Sequence, residues 1–206
     1  EGGEFSEAWQ SLAEQIIEPR YDDLLEILVE VGRGEPVLRS GQSENEAGGI
    51  GDAKRCDIAA TPRAFAAASL KPRDDGRPLA DALTVGPYLG RDSVDPFLAA
   101  CRRDGAGLFL LVRTSNAGAA ELQDAVLADG RPVWRHVAQL VDGWGEDLVG
   151  ARGLSSVGAV VGATVPRIVG EARREMPRAI ILLPGVGAQG ASPADVARAF
   201  TSGPSS

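Results

Sequence analysis

The sequence predicts an α/β chain built of parallel βα units, on two observations. From about residue 49 onward, short apolar runs alternate with stretches of helical period. Each run closes on Gly, Pro or Ser/Thr, so each strand gives way to a turn before the next helix. Strands and helices in this rhythm are joined by right-handed crossovers, which makes the sheet parallel. Five such units are visible, which fits either an incomplete barrel or a five-stranded doubly wound sheet.

Residues 1–48 stand apart. Phe5–Ile17 and Tyr21–Val31 space their Leu, Ile, Val and Trp residues as helices do, with Pro19 between them and Gly32 closing the second. Pro36–Gly48 is polar loop, with Val37–Leu38 a short strand at most, and no buried strand is expected before residue 48. The segment is therefore read as helical or irregular, and residues 49–206 as the βα part.

In that part Gly49–Lys54 is the first expected strand and Pro62–Leu70 the first helix. Asp81–Tyr88, Gly107–Ser115, Val157–Thr164 and Ala179–Gly187 read as buried strands because nearly every position is apolar. Helical spacing recurs at Val94–Arg103, Pro132–Trp144, Pro166–Met176 and Pro193–Phe200.

Composition narrows the partners. A net charge of -8 argues against nucleic acid or an anionic membrane as partner. Lys54 and Lys71 are the only lysines. Lysine is the cation whose proton affinity a pocket can tune, whereas arginine stays charged, so Lys54 stands out. Two cysteines and one histidine offer no metal-binding spacing. With no membrane-length apolar run and no basic-then-apolar start, a cytoplasmic location is expected.

The polar residues gather where the strands end, the face at which both candidate architectures bind ligands. Gly51–Thr61 reads GDAKRCDIAAT, in which Asp52 and Lys54 lie two apart on one strand face and Asp57 follows in the loop. Such a cluster is either a site or a solvated strand end with Asp57 or Thr61 capping the next helix. Arg113-Thr114-Ser115-Asn116 offers hydroxyl and main-chain groups to a polar ring, or Ser115 and Asn116 cap a helix. Pro184–Gly190, PGVGAQG, brings backbone N–H groups and Gln189 toward a phosphate, or is an ordinary turn. His136, Trp134 and Trp144 read as packing residues, Cys56 has no nucleophile's partner, and Pro72–Arg77 reads as a solvated loop.

Taken together, DAKRCDIAAT, DALTVGPYLG, FLLVRTSNAGAAELQD, VGAVVGAT and LPGVGAQG resemble the orotidine 5'-phosphate decarboxylase family, in its long-chain bacterial class, over residues 49–203. The resemblance implies a TIM barrel, (β/α)8, that forms a homodimer with shared active sites. It implies a carboxy-lyase that converts orotidine monophosphate (OMP) to UMP and CO2 in pyrimidine biosynthesis, without metal or cofactor. It further implies Asp52 and Lys54 as the paired acid and proton donor, and Asp57, Ile58 and Thr61 as the segment reaching the partner's site. By the same resemblance Ser115 contacts the pyrimidine and Gln189 the phosphate. A sugar-phosphate decarboxylase of the same superfamily is the related alternative.

The sequence also departs from the family's pattern. No strand bearing the family's substrate-binding Asp, or its further Lys in a Lys-Pro setting, is found in residues 1–48, which hold no lysine. The Ser-Arg strand that grips the phosphate is not found before Ser206, and Cys56 takes the place of a Gly. A barrel truncated at both ends, and a catalytically incompetent fragment, are the corresponding expectations.

Overall fold

The apolar runs become five strands, and their order settles the architecture. The computed structural model describes residues 50–55, 57–58, 60–72, 78–186, 191 and 193–199. The elements are β1 (Ile50–Arg55), α1 (Ala60–Leu70), β2 (Ala82–Val85), α2 (Arg91–Asp104), β3 (Gly107–Arg113) and α3 (Ala119–Gln123). They continue with α4 (Val133–Trp144), a 3-10 turn (Glu146–Leu148), β4 (Ser155–Val161), α5 (Pro166–Glu175), β5 (Ala179–Leu182), α6 (Pro193–Val196) and a second 3-10 turn (Ala197–Ala199). The strands lie side by side in the order β1-β2-β3-β4-β5, each parallel to its neighbour. A doubly wound sheet reverses its order at a switch point; this one does not, so it is an arc of a TIM barrel.

Winding in one direction sends every right-handed crossover to the same face. Leu83, Val85, Leu108, Leu110, Val112, Val157, Ala159, Val161, Ile181 and Leu183 form that face of the sheet. They share one core with Leu70 of α1, Val94, Phe97 and Leu98 of α2, Trp134, Ala138 and Val141 of α4, and Ile168, Val169 and Ala172 of α5. Burying each Val, Leu, Ile or Phe there contributes about 1.5–3 kcal/mol. Trp134 and Trp144 are both buried, as packing residues should be.

The alternate residues of the same strands make a second, smaller cluster on the opposite face: Ile50, Ala82, Phe109, Val160, Ile180 and Leu182. This is the inner side of the arc, and Gly158 makes room in it. A Cβ on Gly158 would stand 2.5 Å from the Ile180 carbonyl oxygen and 2.7 Å from the Phe109 ring. Phe109 and Gly158 are register partners across β3 and β4, so the ring covers the glycine directly.

Ion pairs tie the outer helices together at the surface. Arg102 of α2 pairs with Asp147, Arg135 and Gln139 of α4 both donate to Glu175 of α5, and Arg178 pairs with Asp142. Arg173 is more deeply set. Its guanidinium donates to the carbonyls of Met176, Ala179 and Ala199, joining α5, β5 and the last 3-10 turn, and burial pulls its pKa down to about 10.

Several expectations need correcting. The strands end earlier than their apolar runs, β2 at Val85 and not Tyr88, because Gly86-Pro87 leads the chain away and proline has no N–H to pair. β3 stops at Arg113, whose side chain turns to Asp124; β4 runs Ser155–Val161, and β5 ends at Leu182. The helix expected from Val94 begins at Arg91, and α3 was not expected at all. The expected helices within residues 5–31, Cys56, Gln189 and most of Pro72–Arg77 lie outside the described residues.

Gly158→Ala is expected to lower stability by about 1–3 kcal/mol, since neither the Ile180 backbone nor the Phe109 ring has room to yield. A urea midpoint unchanged from the parent chain would contradict the packing described.

Candidate active site

The strands' C-terminal ends are held together by short contacts. The Gly162 N–H donates to the Arg113 carbonyl at 2.6 Å, and the Ala163 N–H to the Pro184 carbonyl at 2.9 Å. The ends of β3, β4 and β5 are thus joined. Thr164 Oγ1 makes a longer 3.4 Å contact with the Ser115 carbonyl. A Cβ on Gly162 would lie 2.7 Å from Ser115 Cα and 2.8 Å from its nitrogen. Only a glycine there lets the backbone of Ser115 rest against the end of β4.

Beyond β3, the turn carrying Ser115 is secured from its other side by α3. Arg113, buried at the strand end, makes a two-pronged pair with Asp124, Nε at 3.1 Å and Nη2 at 3.0 Å. Its Nη1 also donates to the Thr114 carbonyl. The guanidinium beside Asp124 holds that carboxyl below its ordinary range. Gln123, one residue before Asp124, clamps Thr114: its Oε1 accepts the Thr114 N–H at 2.8 Å and its Nε2 donates to Thr114 Oγ1 at 3.0 Å. The Thr114 hydroxyl in turn donates to Asn116 Oδ1 at 2.6 Å. Ser115 itself is half-buried between these two sets of contacts.

The other predicted residues take their places as follows. Positions 52 and 54 stand on β1, in the stretch where its register against β2 slips. Asp57 and Ile58 follow its end and are exposed, Ile58 at 57 %. Asp57 Oδ1 accepts the Ile58 N–H at 2.8 Å, and Thr61 is exposed in the first turn of α1. Asp57, Thr61, Pro62, Phe65 and Phe97 line a cleft of about 20 Å³. That is room for about one water, not a nucleotide.

One alternative is settled by α3. Neither Ser115 nor Asn116 caps it: its N-cap is Gly118, without a side-chain cap, and Asn116 contributes only its carbonyl to the Ala119 N–H. The Arg113 guanidinium is engaged by Asp124 and the Thr114 carbonyl. Gln123 and Asp124 were not singled out from sequence; the one available signal was a polar pair about ten residues beyond an arginine that ends an apolar run. His136 is half-buried on α4, and Cys101 is buried, its thiol pushed up to about 12 by desolvation and so unsuited to attack. Among the described residues no group of three or more His, Cys, Asp or Glu could hold a metal ion, and no helix is long and apolar enough to cross a membrane.

Comparison with known proteins adds a family. The model of the orotidine 5'-phosphate decarboxylase / HUMPS family matches residues 24–203, beginning inside the segment set apart as 1–48. The chain is 48% identical over 153 residues to an orotidine 5'-phosphate decarboxylase of Rhodopirellula baltica, covering 73% of this chain and 50% of the relative. It is also 48% identical over 139 residues to that of Halorubrum lacusprofundi, covering 68% of this chain and 44% of the relative. A crystal structure titled a putative orotidine 5'-phosphate decarboxylase from Streptomyces avermitilis superposes with a TM-score of 0.61 at 42% identity, over 74% of this chain and 51% of that one. The chain thus spans about half the length of the curated relatives it matches.

The Arg113–Asp124 pair makes a pH-dependent prediction. A carboxyl whose pKa is lower in the folded chain stabilises the fold above its unfolded value, and that contribution is lost as pH falls through the folded one. Asp124→Asn should lower stability by about 1–3 kcal/mol at neutral pH, by leaving Arg113 short of its charged partner. The gap should narrow below pH about 4. Urea midpoints of both chains across that range check this, and a gap independent of pH would contradict it.

Proposed function

Because this chain belongs to the orotidine 5'-phosphate decarboxylase / HUMPS family, we propose that it acts on orotidine monophosphate, releasing CO2 and forming UMP with Lys54 as proton donor. The observation that carries the reading is the family match over residues 24–203, with relatives at 44–48% identity named for this activity. Those relatives favour it over sugar-phosphate decarboxylation.

The chemistry suits the residue types. The bond from C6 to the carboxylate carbon breaks, CO2 departs, and the electron pair stays on C6. A protonated Lys54 next to that carbon opposes the developing negative charge, then donates its proton to C6 and regains one from solvent. Asp52, together with Asp57 reaching over from a second copy, keeps Lys54 charged by raising its pKa. Asp52 also faces the substrate carboxylate, and the repulsion is relieved as CO2 leaves. No cofactor or metal is needed, since the proton and the cation come from the same side chain.

The remaining roles follow the same reading. Ser115 hydrogen-bonds the pyrimidine, Gln189 and its Gly-rich loop hold the phosphate, and phosphate binding helps to close the site. Ile58 and Thr61, both exposed, reach across to a second copy in a homodimer with shared sites. Residues 49–206 carry the barrel and 1–48 form a separate segment before it, in a cytoplasmic enzyme.

Lys54→Ala should reduce turnover at least 10²-fold, the least expected from loss of a positioned general acid. Loss of the OMP absorbance, followed for both chains, checks this. Turnover that survives the substitution would sink the assignment of Lys54, and UMP binding without turnover in the unsubstituted chain would leave recognition and remove the chemistry.

A further inference from the structure

We infer that Gln123 is a positioning residue for pyrimidine recognition, setting the turn that presents Ser115 while the Arg113–Asp124 pair holds Gln123 in place. This rests on the proposed nucleotide-binding role of Ser115 and deepens it.

Gln123 uses both ends of its amide on one residue, accepting from the Thr114 N–H and donating to Thr114 Oγ1. The direction matters. Thr114 Oγ1 lies 2.6 Å from Asn116 Oδ1 and 3.3 Å from Gln123 Oε1, so while it accepts from Nε2 its one hydrogen goes to the nearer acceptor, Asn116. One amide thereby orients Thr114 and, through it, Asn116, the two residues flanking Ser115. The opposite wall is fixed by β4, whose Gly162 lies against the Ser115 backbone. Ser115 is left little freedom except at its side chain.

The five-residue α3 cannot hold Gln123 unaided, because so short a helix gains little from its own hydrogen bonds. Asp124, its C-cap residue, anchors that end to β3 through the two-pronged bond to Arg113. The anchor and the clamp are adjacent in sequence. Shifting either should move the turn, with no effect expected on groups that bind the sugar phosphate elsewhere.

The test is a double-substitution cycle on the full chain, read by titration with UMP and, separately, with ribose 5-phosphate. Gln123→Ala should weaken UMP binding about three- to tenfold, the value of a hydrogen bond or two, and leave ribose 5-phosphate binding unchanged. In a Ser115→Ala background the same substitution should cost less than about twofold, because the effect passes through Ser115. Gln123→Glu keeps the size and the acceptor but removes the donor, and should weaken UMP binding in the same sense while the melting transition stays cooperative. If UMP binds the parent chain and both Gln123 variants equally, this inference fails and the nucleotide reading stands. Equal losses with and without Ser115 would likewise overturn it, showing a general structural effect. If the parent chain does not bind UMP, the nucleotide reading fails first and takes this one with it.

Discussion

Parallel strands laid down in sequence order force every right-handed crossover onto one face of the sheet, and the rest of this structure depends on that constraint. One face becomes a thick apolar layer under the helices. The other must close on itself with few atoms, and here six residues form a buried cluster on it: Ile50, Ala82, Phe109, Val160, Ile180 and Leu182. Phe109 over Gly158 shows how tightly that side is packed, since a single methyl group would meet both a ring and a carbonyl. Packing of this kind holds β3 and β4 in register from Leu108 to Leu111, before the pairing shifts ahead of Arg113.

At those ends the chain uses backbone and charge to keep polar groups in place. Gly162 brings β4 against the Ser115 backbone, and Ala163 ties β4 to Pro184 after β5. Arg113 could have been a costly buried cation, yet Asp124 meets it with both oxygens and the Thr114 carbonyl takes a further hydrogen. The turn carrying Ser115 is therefore braced from both sides. Sites set on strand ends and braced from neighbouring elements are more precise than sites on free loops.

Much of this was legible in the sequence, and for identifiable reasons. Each buried strand holds a mostly apolar run, and LFLLV of β3 or VGAVV of β4 can be read without a fold. Their limits were misjudged because apolarity continues past the last paired residue, as Leu183 shows by being buried beyond β5. Barrel and doubly wound sheet share one βα rhythm, so only the spatial order of strands could separate them. The short helix α3 was missed because five residues give no period to detect. Gln123 and Asp124 were missed because their partners, nine and eleven residues away, are set by tertiary structure. Asp52, Lys54 and Asp57 drew attention through a two-residue spacing in a lysine-poor chain, and through their resemblance to a family motif.

On the function proposed above, ligand recognition falls at the C-terminal ends of the strands, from positions 52 and 54 of β1 to the groups held by β3, β4 and β5. Amide hydrogen exchange with and without UMP tests it most directly. Slowed exchange concentrated at residues 52–55, 114–116, 162–164 and 185–186, with the strand starts unchanged, is the predicted result. Protection at the opposite ends of the strands, or no protection at saturating UMP, would contradict it.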